Sequence, residues 1–281
     1  MNHSLTASSP VSKRLSPRKM AFITGTLLLT STGFICRILG FFYRIFMSRT
    51  IGAEGLGIYN MVHPIFSICF AVCAGSIQTA LSQYVAANQT RGRAVFRTGL
   101  VIAMGMSFLL AWVIYGNAGF LAEKLLLEPR CAPYLPVMAV SVPFAALHAC
   151  INGYYYGMQK ARVPAFSQVA EQVIRMGAVF LIASIWLESG RQITVSLAVY
   201  GHLIGEMASA VFTVFCLGFF PPCKDGDSRR APAIPLSFGA TAAPLMALAL
   251  PLMGNRLILN VLGSAEAIWI PNRLMSSGLT N

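Results

Sequence analysis

The sequence predicts an all-α polytopic membrane protein, and three observations carry that prediction. Of its 281 residues, 56% are hydrophobic and only 11% charged, where soluble domains carry about 25% charged residues. The mean hydropathy is +0.66. Apolar runs exceed the length of soluble core helices: the 28 residues from Met20 to Met47 reach about 42 Å at ~1.5 Å per residue, against ~30 Å of hydrocarbon. Finally, basic residues cluster in short connections between these runs, as the positive-inside rule describes. The weak alternation that marks a membrane β-barrel is absent.

Taken in order, residues 1–19 are rich in Ser, Pro and basic residues (Lys13, Arg14, Arg18, Lys19) and read as a disordered cytoplasmic tail. The apolar run behind them exceeds a signal-peptide core of about 7–15 residues and lacks a small-residue cleavage site. A first helix is expected over about 20–47, a Gly-rich turn at Gly52, Gly55 and Gly57, and a second helix over about 58–86 kinked at Pro64. The loop of Arg91, Arg93 and Arg97 leads to a third helix over about 98–116. The segment 118–130, AGFLAEKLLLEPR, is short and amphipathic and suits the interface. A fourth helix is expected over about 133–157 with Pro136 and Pro143, then a tight turn with Lys160 and Arg162, a fifth over about 163–187 and a sixth over about 192–219. The loop 221–235, PPCKDGDSRRAPAIP, is the longest polar connection and divides the chain. Residues 20–220 form a six-helix lobe. Residues 236–281 begin a second unit, with a seventh helix over about 236–262 and an eighth from 264 that the chain does not finish. Transporters built from such repeats place their site between the halves, although no strong internal sequence repeat is visible here.

The basic residues orient the chain. With the N-terminus in the cytoplasm, twelve Lys and Arg fall inside (the tail, 91–97, 160–162 and 224–230) and four outside (Arg49, Lys124, Arg130, Arg191). The prediction is therefore a multi-pass protein of the cell membrane with a cytoplasmic N-terminus. The same distribution argues that the net charge of +12 serves topology and not nucleic-acid binding. Trp112, Trp186 and Trp269 fall near outer ends, as an aromatic belt would place them. The seven Cys carry no CxxC; Cys69 and Cys73 share a face without a His or acid at ligand spacing, so core packing is expected, with no metal and no cofactor.

Charges inside the apolar runs mark the candidate site. Arg37 and Arg44 are seven residues apart and fall within about 20° of one helix face. An Arg at a helix centre costs about 2.5–3.5 kcal/mol on insertion scales, so the pair suggests a wet, cationic cavity that receives an anion. For each the alternative is snorkelling to the interface. In the fifth helix Gln168, Glu171, Gln172 and Arg175 form a polar stripe, with Glu171 and Arg175 paired at i,i+4; a self-neutralised pair is the other reading. In the sixth, His202 and Glu206 are also i,i+4 and suit proton relay or cation sensing, unless they only bond locally beside a Gly201–Gly205 packing contact. Together Glu171, His202 and Glu206 are the ion-coupling candidates. His148 and Asn152, with Gly153 and Gly157, suit interhelical bonding and close packing. In the last stretch, GNRLILNVLGSAEAIWIPNRL, Arg256 and Arg273 are further candidates to face a cavity, and Pro251 and Pro271 suggest broken helices.

The chain resembles the bacterial MOP-superfamily flippases, within them the stage V sporulation protein B and polysaccharide biosynthesis group related to the lipid II flippase MurJ. The residues that carry the resemblance are Arg37–Gly40 (RILG) with Tyr43–Arg44, Ile51–Tyr59 (IGAEGLGIY), Gly254–Asn260 (GNRLILN) and Pro271–Leu274 (PNRL), and it covers nearly all of 20–281. It implies a MOP/MATE-like transporter fold of two helical lobes around a cavity of alternating access. It also implies a lipid-linked sugar of the polyprenyl diphosphate type as partner, with a cell-wall, polysaccharide or sporulation role. Arg37 and Arg273 match family arginines implicated in holding the anionic precursor. The chain departs from the lipid II flippase pattern in the one-position displacement of Arg44 and in lacking an arginine between Cys69 and Gln78, which weighs against lipid II itself. Against a family with about twice as many helices, the chain reads as an incomplete form.

These features favour a flippase over three other classes. A cation-coupled multidrug exporter of the same superfamily would show acidic residues where this chain has arginines. A membrane-embedded enzyme needs paired carboxylates or a metal near an interface, and Glu54, Glu123, Glu128, Glu188, Asp225 and Asp227 form no convincing pair. No enzymatic activity is expected. A non-transporting membrane scaffold is the remaining alternative.

Overall fold

The computed structural model describes residues 17–222 and 238–276, with the backbone alone at 17–19, 21–22 and 264–276. Helix α1 runs Pro17–Phe70 and is broken at Gly52, where φ is 74° and ψ 175°. That left-handed backbone favours glycine, which confines the expected Gly-rich turn to one residue; Gly55 and Gly57 are helical. One π-helical turn, Ala71–Gly75, joins α1 to α2, Ser76–Ala87. Helix α3 covers Gly92–Gly116 and begins earlier than expected, because Arg93 and Arg97 extend its first turns into the polar boundary. The interfacial segment folds as α4, Ala118–Phe120, a π-helical turn Leu121–Leu125 and a 3-10 turn Pro129–Cys131. Then come α5, Leu135–Gly157, α6, Arg162–Glu188, α7, Ser196–Phe219, and α8, Phe238–Ser276. The helix α8 is continuous over 39 residues, where a break was expected between 262 and 264. Gly263 is a weak helix breaker, and neither Pro251 nor Pro271 interrupts the helix. The expected linker lies almost wholly outside the described residues.

Six segments are long and apolar enough to cross a membrane, and the first of them, Ile23–Ala87, holds the Gly52 break. With no strand among the described residues, the chain is an all-α polytopic membrane protein. Large apolar side chains face outward, Trp112 at 74% exposure among them, as lipid contact demands.

Helix α5 is the hub and packs against α1, α2, α3 and α7. Its glycines make this possible: a Cβ on Gly153 would lie 2.7 Å from the Gln78 carbonyl oxygen, and one on Gly157 would lie 2.6 Å from Val85 Cβ. The buried Tyr155 hydroxyl donates to the carbonyls of Cys216, at 2.9 Å, and Phe220, at 2.8 Å. The Cys216 carbonyl also accepts the Phe220 N–H at 2.8 Å, whereas that of Phe220 lies just past the end of α7, so the hydroxyl ties this helix end to α5. Helix α8 lies on α1, α2 and α3 and adds Leu245, Ala249 and Met253 to the main apolar core.

The ends sort into two groups. Arg130 pairs with both Glu128 and Glu54, which brings the Gly52 break to the segment 117–134. Gly25, near the start of α1, lies beside Ala161 in the turn between α5 and α6. This is the pairing of loops that an up-and-down bundle requires.

Candidate functional site

Each helix around the centre carries polar residues spaced three, four or eight apart, so they line one face: His148 and Asn152 on α5, Ser167, Glu171 and Arg175 on α6, His202, Glu206 and Ser209 on α7, and Arg256 and Asn260 on α8. These faces, with His63 and Ser67 of α1, enclose a cavity of about 490 Å³. A second cavity of about 210 Å³ is lined by Tyr43, Arg44, Tyr59, Asn60 and Gln172. His63 and Arg175 belong to the walls of both.

The first cavity is built around an ionic cluster. Glu206 accepts or shares a hydrogen bond with His148 Nε2 at 2.8 Å. Its other oxygen lies 3.7 Å from Arg175 Nη2 and 3.9 Å from His202 Nε2. Arg175 also donates to Glu171, one turn before it on α6. Space for the guanidinium comes from Gly205 on α7, where a Cβ would lie 2.7 Å from Arg175 Nε. Ser167 and Ser209 join α6 to α7 by a hydroxyl–hydroxyl bond of 2.7 Å. On the opposite wall Arg256 donates to the Thr79 hydroxyl at 3.0 Å and lies against Gly75, the last residue of the π-helical turn. A π-helical turn often accompanies a functional site; here it carries the small residue that lets an α8 arginine approach.

The expected site residues separate as follows. Glu171, His202 and Glu206 all come together in the first cavity, and Arg256 lines it too. Arg44 lines the second. Arg37 is exposed and lines neither. Arg273 lies in α8, its side chain outside the described residues. Neither Arg44 nor Arg256 has an acidic partner among the described residues. Sequence reasoning read His148 as an interhelical hydrogen-bonding residue and did not pair it with Glu206, 58 positions away. His148, Glu171 and Glu206 each place one ligand atom within 4.8 Å of the others, the donor set of a metal site. Arg175, however, stands on both carboxylates and opposes a second cation there.

The polysaccharide biosynthesis protein family model matches residues 22–278. The chain belongs to that family. Stage V sporulation protein B of Bacillus subtilis (strain 168) is 29% identical over 93% of this chain and 51% of its own length. The lipid II flippase MurJ of the same organism is 23% identical over 67% of this chain and 38% of its length. Sporulation protein YkvU, also from that strain, is 18% identical over 92% of this chain and 56% of its length. The chain thus spans about half the length of the first of these curated relatives. No solved structure matches it. The MOP-superfamily membership expected from RILG, IGAEGLGIY and GNRLILN is established by these matches.

Proposed function

We propose that this chain forms the first helical lobe, and the start of the second, of a flippase that moves a lipid-linked sugar across the bacterial cytoplasmic membrane by alternating access, with its N-terminus in the cytoplasm. The observation that carries this reading is the charge balance of the two cavities. Both carboxylates in the first cavity are engaged by Arg175. Arg256 there and Arg44 in the second cavity are cations without an acidic partner among the described residues. A site so arranged favours an anion over an organic cation. A polyprenyl diphosphate head supplies the counter-charge, and a guanidinium binds it through parallel hydrogen bonds. In this state the grip falls to Arg44 and Arg256; Arg37, two turns before Arg44 on α1, and Arg273, on α8, join it as the lobes rock. MurJ, named for flipping lipid II, supports a substrate of this type.

The test is selective binding. The purified 281-residue chain in lipid nanodiscs is expected to bind a polyprenyl diphosphate sugar and to ignore a lipophilic cation such as tetraphenylphosphonium. Binding of the cation with no binding of the diphosphate would replace the flippase reading by that of a cation exporter.

A further inference from the structure

We infer that His148 and Glu206 share one exchangeable proton, and that its presence sets the charge beside the two cavities. Glu171, Glu206 and Arg175 sum to one net negative charge when the nearby imidazoles are neutral. The residues Glu206 and His202 are 5% and 3% exposed, and an uncompensated charge so buried is costly. Arg256 lines the same cavity but pairs with neither carboxylate among the described residues; one monovalent cation at the cluster itself neutralises the charge where it is buried.

The geometry selects the proton over a metal ion. A metal ligated by His148, Glu171 and Glu206 would have to displace the Arg175 guanidinium from both carboxylates. A proton needs no displacement, since the 2.8 Å contact from His148 Nε2 to Glu206 Oε2 already has hydrogen-bond length. A second, independent feature points the same way. His148 Nδ1, both ring nitrogens of His202 and Asn152 Oδ1 are buried on the cavity wall without a hydrogen-bond partner among the described residues. Such atoms are unusual in a settled core. The imidazole nitrogens are places where a proton arriving through the cavity can be received and passed on, the Asn152 oxygen can only accept a hydrogen bond, and His202 Nε2 stands 3.9 Å from Glu206.

The surrounding charged and titratable groups are few. From α1 come Cys36, Tyr43, Arg44, Tyr59 and His63, the last with its ring 5.6 Å from that of His202. The helix α8 contributes Arg256, and α2 contributes only the uncharged Gln78 and Thr79. Arg175 links the proton to the second cavity, because it lines both and its Nε has no hydrogen-bond partner among the described residues. With the proton bound, Glu206 holds Arg175 less strongly and the walls gain one positive charge. Proton and anion therefore favour each other's binding, reciprocally. This last consequence rests on the proposed anionic substrate; the proton site itself does not.

Infrared difference spectroscopy on the 281-residue chain in nanodiscs, titrated over about pH 5 to 8 where imidazole changes charge, tests the site without any ligand. The expected result is a one-proton change in imidazole and carboxylate bands that Glu206→Gln and His148→Gln each abolish. The change should survive His63→Gln and ignore exchange of Na⁺ for K⁺. Retention of the change in both cluster variants, dependence on Na⁺, or stoichiometric Zn²⁺ uptake by the unsubstituted chain would overturn the inference; the two ion titrations use the unsubstituted chain and do not depend on how the variants fold. A second arm measures inorganic pyrophosphate binding across the same range. Affinity should rise on acidification by up to about tenfold per pH unit, the limit for one linked proton. If the band change is present and pyrophosphate fails to bind at every pH, the proton site stands and the substrate reading falls.

Discussion

At the scale of single residues, the site is made by partners that the sequence could show only one at a time. The i,i+4 stripes of α6 and α7 were legible as Glu171–Arg175 and His202–Glu206, since helical spacing alone puts them on one face. The bonds that join those stripes were not legible, because His148 reaches Glu206 across 58 positions and Arg256 reaches Thr79 across 177. Arg37 shows the converse: intramembrane charge predicted a cavity, and the side chain is exposed in this state. One residue prediction concerns the interfacial segment. The side-chain hydrogen bond from Arg130 holds the Glu128 carboxyl below its ordinary range. A carboxylate so depressed contributes stability that is present above the unfolded value of 4.5 and is lost as pH falls through the folded value. The thermal midpoint of the chain should therefore show a small acid-side decrease that Glu128→Gln removes. An identical decrease in both proteins would mean that the pair contributes nothing.

Among the elements, helix existence was legible from the length of the apolar runs, and helix continuity was not. The turn expected at three glycines is one left-handed residue, Gly52, and two prolines expected to break α8 leave it whole. Local residue type ranks possible breaks, but packing decides which occur, and α8 is held against three other helices. Close packing was expected at Gly153 and Gly157 without a partner helix, and the partner is α2, through Gln78 and Val85. Gly153→Val should overpack that contact and cost about 1–3 kcal/mol. Gly105→Val, at a helical glycine with open space around it, should be close to neutral, because valine is about 0.3 kcal/mol better than glycine inside a helix. Thermal melts of the two variants in detergent compare them; equal midpoints would contradict the packing account.

For the whole molecule, loop charge predicts the side of the membrane. Gln89→Cys, in the connection before α3, should be shielded from an impermeant thiol reagent in intact cells, and Lys124→Cys should be labelled, both in a cysteine-free background. The reverse pattern would invert the topology. The central claim is that the bundle holds two adjoining cavities whose arginines, Arg256 in the first and Arg44 in the second, hold an anionic lipid head. The most direct measurement is the affinity of the chain in nanodiscs for a polyprenyl diphosphate sugar, compared among wild type, Arg44→Ala, Arg256→Ala and Arg256→Lys. Loss of one charge-assisted contact, about 1.5–3 kcal/mol, should weaken binding by roughly ten- to a hundredfold in each alanine variant. Arg256→Lys should fall between, keeping the charge without the planar fork. Unchanged affinity in both alanine variants would contradict the account.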